Sequence, residues 1–155
     1  MSQEFDKIME FKITLKWEKP SIWRVIQVPN SYTFWDLHLA ILDSMGWIGG
    51  HLHGFFMRHP KYKNERYIGL PDEEYENPDD LVEWKEKIEK WFKNENDFAR
   101  FIYDFGDNWE HIVRLEKIIE KDPNKKYPIC VKGKNACPPE DCGNYKHFVE
   151  AITDP

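Results

Sequence analysis

A run of nine residues from Tyr103 to His111 concentrates side chains that can transfer protons or bind metal. It reads Tyr-Asp-Phe-Gly-Asp-Asn-Trp-Glu-His and contains the carboxylates of Asp104, Asp107 and Glu110 beside one imidazole. Carboxylates and imidazoles are common general acids, general bases and metal ligands. The glycine, aspartate and asparagine in the middle predict a tight hairpin, so the run is a candidate site on two adjacent strands.

The pairing register of this hairpin decides which chemistry it supports. A three-residue turn would place Asp104 opposite Glu110, whereas a two-residue turn would place Asp104 opposite His111. The first register requires a cation such as Arg24, or a raised carboxyl pKa, because directly opposed like charges are unfavourable. The second would orient the imidazole as general bases and metal ligands require. In a purely structural alternative, the side chains of Asp107 and Asn108 cap the turn and the aromatic residues pack on the core.

Two histidines, His51 and His53, are two residues apart in a predicted strand and would share one face of it. Together with His111 or an acidic residue of the hairpin they could hold a divalent metal ion. The alternative is that both pack and form hydrogen bonds without a metal. His38 falls on an apolar helical stripe and is predicted to be a core histidine bonded to a neighbour.

The three cysteines, Cys130, Cys137 and Cys142, have the spacing C-x6-C-x4-C, which differs from the C-x2-C pattern of most zinc modules. A structural zinc ion would need a fourth ligand, for which His111 and His147 are the candidates. Zinc is therefore the candidate cofactor. The alternative is that the cysteines are free thiols and that Cys137 and Cys142 are buried, as expected of an odd number in a reducing compartment.

Hydrophobic spacing predicts the elements that would position these residues. The segment from Ile8 to Trp17 alternates apolar and polar residues, and the segment from Ile22 to Val28 is rich in branched side chains. Together they predict an antiparallel hairpin. Thr33 and Asp36 form a capping-box pattern before a helical apolar stripe, and Gly46 is placed to end that helix.

A second principal helix is predicted over residues 79–92. Apolar residues recur there at helical spacing from Leu81 to Phe92, and Glu83 falls on the face expected to be solvated. The other predicted elements are a strand at 52–58, a long loop at 59–77 with a short strand at 67–70, a second hairpin at 98–105 and 109–119, an irregular segment at 127–143 and a terminal helix at 145–152.

Length and composition indicate one folded domain. The chain has 155 residues, of which 41% are hydrophobic and 15% aromatic, and a chain of this size buries roughly 70% of its unfolded surface. The net charge of −6 disfavours nucleic acid as a partner, because such binding depends on Lys and Arg. No segment has the ~20 apolar residues of a membrane span, and the acidic start lacks a signal-peptide pattern, so a cytoplasmic location without membrane contact is expected.

Several strings, in this order, resemble one family. They are Pro20-Ser21-Ile22-Trp23-Arg24, Trp47 with His51-Leu52-His53, the run from Asp104 to His111, and Tyr127-Pro128-Ile129-Cys130 followed by Gly133 and Ala136-Cys137-Pro138-Pro139-Glu140-Asp141-Cys142-Gly143. The chain resembles the Ri-plasmid open-reading-frame-three-like family (plasmid pRiA4b type), which occurs on plasmids, in mobile elements and in bacterial and archaeal chromosomes. The resemblance implies an α+β fold, with no established activity or cofactor. Relatives often continue past the position of Pro155, which leaves open a further C-terminal segment.

We therefore predict a single α+β domain with a mainly antiparallel sheet of five to six strands, two principal helices packed on it and an irregular Cys-bearing loop. Because the sequence contains no known catalytic motif, the expected function is that of a non-catalytic interaction or accessory module for an unknown protein partner. One alternative is a metal-dependent hydrolase-like enzyme that uses His51, His53, Asp104, Glu110 and His111. Another is a nucleic-acid-associated accessory protein, suggested by the mobile-element setting of the family.

Overall fold

The computed structural model describes residues 5–17, 19–71 and 77–138. Within these ranges the chain forms one eight-stranded sheet and two helices. The elements are β1 (Lys7–Leu15), β2 (Trp23–Pro29), α1 (Phe34–Met45), β3 (His53–Arg58), β4 (Glu65–Gly69), β5 (Leu81–Val82), α2 (Ile88–Trp91), β6 (Phe98–Tyr103), β7 (Trp109–Glu120) and β8 (Ile129–Lys134).

The strand order in the sheet is β5-β4-β3-β6-β7-β1-β2-β8. Neighbouring strands are antiparallel, except that β5 runs parallel to β4 through two residue pairs. The longest strand, β7, lies at the centre between β6 and β1. Its length allows it to join the two hairpins, β1–β2 and β6–β7, into one sheet.

One face of the sheet carries the hydrophobic core. Along β7, the side chains of Trp109, His111, Val113 and Leu115 are buried, and the residues between them are partly exposed. This alternation follows from the pleat, which points successive side chains to opposite faces. Helix α1 covers the buried face with a fully buried stripe that includes Leu37 and Ile41.

The prediction of α1 is confirmed, including both ends. The hydroxyl of Thr33 accepts a hydrogen bond from the Asp36 backbone N–H, and the Asp36 carboxylate accepts one from the Thr33 backbone N–H. Gly46 ends the helix in the left-handed conformation, with φ of 79°. The helix that carries His38 therefore forms from signals within its own sequence.

The predicted fold class, an α+β domain with five to six strands and two principal helices, is wrong. The structure is mostly sheet, with eight strands, and residues 79–92 form only the two-residue β5, a turn and the four-residue α2. The expected burial is also reversed there, because Trp84 is 46% exposed while Glu83 is 0% exposed. Backbone groups of residues 79–92 form hydrogen bonds with β4 and with the start of α1. These bonds take the place of the ones that the segment would form within itself as a helix.

The segment at residues 127–143, predicted to be irregular, contains strand β8, which pairs with β2 at one edge of the sheet. Five of its six residues are exposed, so it lacks the alternation that predicts a half-buried strand. The predicted terminal helix at 145–152, the candidate ligands Cys142 and His147, and the later part of the Cys-bearing loop lie outside the described residues. No helix in the described ranges is both long and apolar enough to cross a membrane.

Candidate metal centre

Three side chains that commonly bind metal converge beneath α1. One potential ligand atom from each of His38, His53 and Glu83 lies within 4.8 Å of the others. The three residues are 3%, 3% and 0% exposed, respectively. Among the described residues, this is the group in which at least three His, Cys, Asp or Glu side chains come close enough to hold one ion.

The three ligands come from three different elements. His38 lies on the sheet-facing side of α1, and His53 is the first residue of β3 and points to the same buried face. Glu83 directly follows β5, where its backbone N–H donates to the Gly69 carbonyl oxygen (3.1 Å) and its own carbonyl accepts from the Trp35 N–H (3.1 Å). These two backbone bonds hold the Glu83 carboxylate between the sheet and the start of α1.

We call residues 81–92 the strap, because they cross the beginning of α1. The Phe34 N–H donates to the Glu86 carbonyl (3.1 Å), and the Ile88 N–H donates to the Tyr32 carbonyl (3.0 Å). The first N–H groups of a helix have no partner within the helix and need one from elsewhere. The strap supplies such partners, so the position of Glu83 is tied to the helix that carries His38.

Hydrogen bonds to backbone carbonyl groups fix the tautomer of both imidazoles. Nδ1 of His38 is 2.7 Å from the Trp35 carbonyl oxygen, and Nδ1 of His53 is 3.1 Å from the His51 carbonyl oxygen. A carbonyl oxygen can only accept, so each Nδ1 carries a proton and donates it. Nε2 of each ring is then left for other partners, as is usual for a histidine whose Nε2 binds metal.

Nε2 of His53 lies 2.8 Å and 3.0 Å from the two carboxylate oxygens of Glu83. Nδ1 of His53 already donates to a carbonyl, so the contact between Nε2 and the Glu83 carboxylate contains one further proton. That proton is on either the imidazole or the carboxyl group. A metal ion coordinated by Nε2 and the carboxylate would replace that proton. The cluster can therefore exist either as a buried, proton-linked His–Glu pair or as a metal site.

The two imidazole rings are stacked, with centroids 3.9 Å apart and planes inclined by 11°. Burial, and to a lesser extent the neighbouring His53, lower the pKa of His38 to about 4, against the opposing effects of the hydrogen bond to Trp35 and the charge of Asp36. His38 is therefore a neutral imidazole at neutral pH, the form that binds metal. Since the lone pair of Nε2 lies in the ring plane, coordination of one ion by both rings requires them to turn out of the stack about their Nδ1 hydrogen bonds.

The hairpin at residues 103–111 has neither of the two pairing registers that the sequence suggested. In the β6–β7 pair, Tyr103 lies opposite Trp109, and Phe101 lies opposite His111. Asp104 adopts a left-handed conformation (φ of 60°), which lengthens the turn so that it pairs with neither Glu110 nor His111. Its Oδ1 accepts hydrogen bonds from the N–H groups of the next residues, Gly106 and Asp107 (3.1 and 3.4 Å), as in an Asx turn.

Glu110 points away from the buried cluster, toward the open face of the sheet. It forms ion pairs with Lys16 (3.3 Å) and Arg100 (3.0 Å). Burial alone would raise the pKa of its carboxyl group, but the hydrogen bonds from Arg100 and Lys16 outweigh burial and lower it. Arg24 has a different role from the one considered, because its guanidinium donates to the Ser44 carbonyl oxygen (2.9 Å).

His111 lies in the core and is 0% exposed. Its Nδ1 donates to the Phe101 carbonyl oxygen (3.2 Å), and its Nε2 has no hydrogen-bond partner among the described residues. Burial lowers its pKa to about 4, against the opposing effects of the Phe101 and Trp109 backbone groups. His51 lies apart from both His111 and the cluster that contains His53. Its Nδ1 is 3.5 Å from Oδ2 of Asp104.

The described cysteines do not form a zinc cluster with His111. Cys130 is exposed on β8, whereas Cys137 is half-buried with its Sγ 3.0 Å from Sδ of Met45. Burial raises the pKa of the Cys137 thiol, although the nearby Arg24 opposes the shift. Within the part of the chain that the structure describes, neither thiol joins a group of three potential ligands.

Glu83 is the candidate ligand that sequence reasoning missed. The helical stripe placed it on a solvated face, whereas β5 and the strap turn it inward. Its position between Leu81-Val82 and Trp84 is consistent with a buried carboxylate in a short strand, but that signal is weak without knowledge of the partners. His38 is a core histidine bonded to a neighbour, as predicted, and it also faces His53.

One family model and two similar proteins match this chain over nearly its whole length. The family model described as plasmid pRiA4b ORF-3-like protein matches residues 7–155. The uncharacterized protein y4hQ of Sinorhizobium fredii (strain NBRC 101917 / NGR234) is 32% identical over 158 residues, which cover 96% of this chain and 74% of the relative. The crystal structure of a protein of unknown function, MM3350 from Methanosarcina mazei Go1, is 40% identical with a TM-score of 0.85, and the match covers 97% of this chain and 82% of that chain. This chain belongs to the family of plasmid pRiA4b ORF-3-like proteins.

Proposed function

We propose that this protein is a metal-binding accessory module that holds one divalent first-row transition-metal ion through Nε2 of His38, Nε2 of His53 and the carboxylate of Glu83. The observation that carries the proposal is the convergence of one potential ligand atom from each of these three residues, within 4.8 Å of one another, in the buried layer between α1 and the sheet.

The donor set fits this class of ion. Imidazole suits zinc, copper, iron and nickel, and two histidines with one carboxylate are a common set for zinc and for non-haem iron. Backbone carbonyls already orient both Nδ1 atoms, which is how protein metal sites commonly fix the tautomer of their histidines. A divalent ion would also neutralise the buried Glu83 carboxylate, which is costly to bury without a positive partner.

The enclosure of the ligands favours a structural role for the ion. All three ligand residues are at most 3% exposed. Structural zinc sites have four ligands, whereas catalytic sites have three protein ligands and a position open to substrate. This cluster supplies three ligands, and its burial closes the remaining position to substrate. An ion held here would cross-link α1, β3 and the strap, and so stabilise the surface that these elements present to a partner protein.

Metal-dependent hydrolysis is the second candidate, because two histidines and one glutamate are also the ligands of some hydrolytic zinc sites. Of the residues first considered for this activity, His53 alone belongs to the cluster. A bound ion could activate water only if the strap or a ring of the cluster moved to admit substrate. Hydrolysis of simple phosphate or carboxylate esters by the metal-loaded protein, lost in Glu83→Gln, would favour this candidate over a structural ion.

Metal binding can be measured on untagged protein stripped with a chelator and then titrated with zinc against a chromophoric chelator. Wild type should bind one zinc ion per chain. Replacing an outer-shell partner of a metal site typically costs 10–100-fold in affinity, so loss of a direct ligand in His38→Gln or Glu83→Gln should cost at least about 100-fold.

Matched controls are His51→Gln, a histidine outside the cluster, and Glu86→Gln, an acidic residue of the same strap. Both should bind zinc like wild type, and circular dichroism should show that every variant is folded. Cobalt(II) bound to wild type should give absorption bands of a nitrogen- and oxygen-ligated ion, a readout that needs no variant. Substoichiometric binding by wild type, or equal loss in the controls, would contradict the proposal.

A further inference from the structure

A groove separate from the metal centre lies between the β3–β4 turn and the loop that precedes β6. Its volume is about 260 Å³. We call it the basic groove and define it by six of its lining residues, namely Arg58, His59, Lys63, Trp91, Lys93 and Phe98.

The groove concentrates positive charge in a protein whose net charge is −6. The side chains of Arg58, Lys63 and Lys93 are exposed and form no ion pair among the described residues. The one acidic residue that lines the groove is Asp97, and its Oδ2 accepts hydrogen bonds from the backbone N–H groups of Lys93 and Asn94 (2.8 Å each). Three cations therefore line a groove whose one carboxylate, that of Asp97, already accepts hydrogen bonds from the backbone.

His59 adds a hydrogen-bond donor of fixed orientation. Its Nδ1 accepts from the backbone N–H groups of Lys61 and Tyr62, at 3.1 Å each. Because Nδ1 is an acceptor, the proton of the neutral ring must be on Nε2. The ring also packs edge-on against Trp91, with centroids 5.1 Å apart, which holds this donor in place.

Apolar side chains also line the groove, beside the polar residues Asn94 and Asn96. Met57 and Trp91 are 4% exposed and lie at its base, while Phe98 is 50% exposed. The Arg114 guanidinium lies over the Phe98 ring, 5.3 Å from its centroid, and the exposed half of the ring offers a surface against which a planar group can pack while its anionic end meets the cations.

We propose that the basic groove binds a small organic phosphate, in which a planar apolar body lies against Phe98 and the phosphate meets Arg58, Lys63 and Lys93. Three cations match a phosphate dianion better than a carboxylate monoanion. The site is independent of the metal centre, so either proposal can fail without the other.

The test uses full-length protein and three probes: phenyl phosphate, inorganic phosphate and phenol. Nuclear magnetic resonance titration at low ionic strength should show saturable shifts of the Lys93, Asn94 and Asn96 amides with phenyl phosphate. Binding should be weaker by about tenfold or more with inorganic phosphate, which lacks the ring, and with phenol, which lacks the charge. Added salt should weaken phenyl phosphate binding.

Removing one cation in Arg58→Gln or Lys93→Gln should weaken phenyl phosphate binding by about tenfold. Lys125→Gln makes the same change of charge in the turn after β7 and should leave affinity unchanged. The proposal is overturned if phenyl phosphate causes no saturable shift at millimolar concentration, if inorganic phosphate binds equally well, or if Lys125→Gln weakens binding as much as the groove variants do.

Discussion

Among the described residues, Glu83 is a carboxylate whose side chain is wholly buried, and its partner is Nε2 of His53. A buried carboxylate is unfavourable unless a positive charge or a proton neutralises it. Here the choice lies between one proton shared with His53 and one metal ion shared with His53 and His38. At the scale of single residues, the competition between proton and metal decides the state of the cluster.

His111 leads to a prediction about stability and pH. Its imidazole has a pKa of about 4 in the folded protein, against an ordinary value of 6.5 in the unfolded chain. Between these pH values the unfolded state binds more protons, so the contribution of His111 to stability is complete above pH 6.5 and is lost as the pH falls toward 4. At about pH 5 the loss should be about 2 kcal/mol.

Urea unfolding of wild type and His111→Leu at about pH 7.5 and about pH 5 measures this loss. The free energy of unfolding of wild type should fall by about 2 kcal/mol more than that of the variant. Phe11→Leu, which removes buried packing volume beside Phe92 and no titrating group, should keep the pH dependence of wild type. The same pH dependence in His111→Leu and wild type would show that His111 is not a buried neutral histidine.

At the scale of elements, the strap is the segment on which the metal centre depends. Strand β5 has only two residues and pairs on one side alone, so few backbone bonds hold Glu83 in the sheet. Bonds from Phe34, Trp35 and Ile88 attach the strap to the start of α1. A metal ion bound by both Glu83 and His38 would add a strong link between the same two elements.

Hydrogen exchange should detect that link. Amides of Phe34, Trp35, Glu83 and Ile88 should exchange about 100-fold more slowly when zinc is present at 100 times its Kd, provided that opening of the strap breaks the site. Amides of β8 should not change, because β8 lies at the opposite edge of the sheet.

The Glu83→Gln variant is the matched control for this experiment. It keeps the size of the side chain and should show no zinc-dependent protection of the strap. Equal protection in the variant, or no protection in wild type, would mean that the strap is not coupled to metal.

Elements whose signals lie within their own sequence could be predicted, and elements formed by distant partners could not. Both ends of α1 were predicted because the Thr33–Asp36 capping box and Gly46 act locally. The β1–β2 hairpin was predicted from the alternation of residues in its first strand and the branched apolar residues of its second. The strap and β8 were not, since their backbone groups pair with β4, α1 and β2, far away in the sequence.

The same distinction applies to the candidate site. His53 was considered a ligand, but its expected neighbours were on the hairpin of residues 103–111. Asp104 and Asn108 are both left-handed in the turn, and the pairing register of the hairpin depends on these backbone conformations, which composition does not reveal. Glu83 was assigned to solvent because a helical pattern was read where a two-residue strand forms.

At the scale of the whole molecule, the cluster joins three distant parts of the chain across one face of the sheet. His38, His53 and Glu83 come from α1, β3 and the strap. In the unfolded chain these residues are far apart, so a site that binds metal tightly forms only with the fold, and binding free energy becomes folding free energy. The other face of the sheet has a different character, with ion pairs such as Arg100–Glu110.

The most direct test is an anomalous difference map at the zinc absorption edge, from crystals of zinc-loaded untagged protein. We predict one peak about 2.0–2.2 Å from Nε2 of His38, Nε2 of His53 and a carboxylate oxygen of Glu83. The two rings should have turned out of the stack that they form here. A cluster without a peak, with the His53–Glu83 hydrogen bond intact and zinc only at surface residues such as His59 or Cys130, would contradict the proposed metal centre.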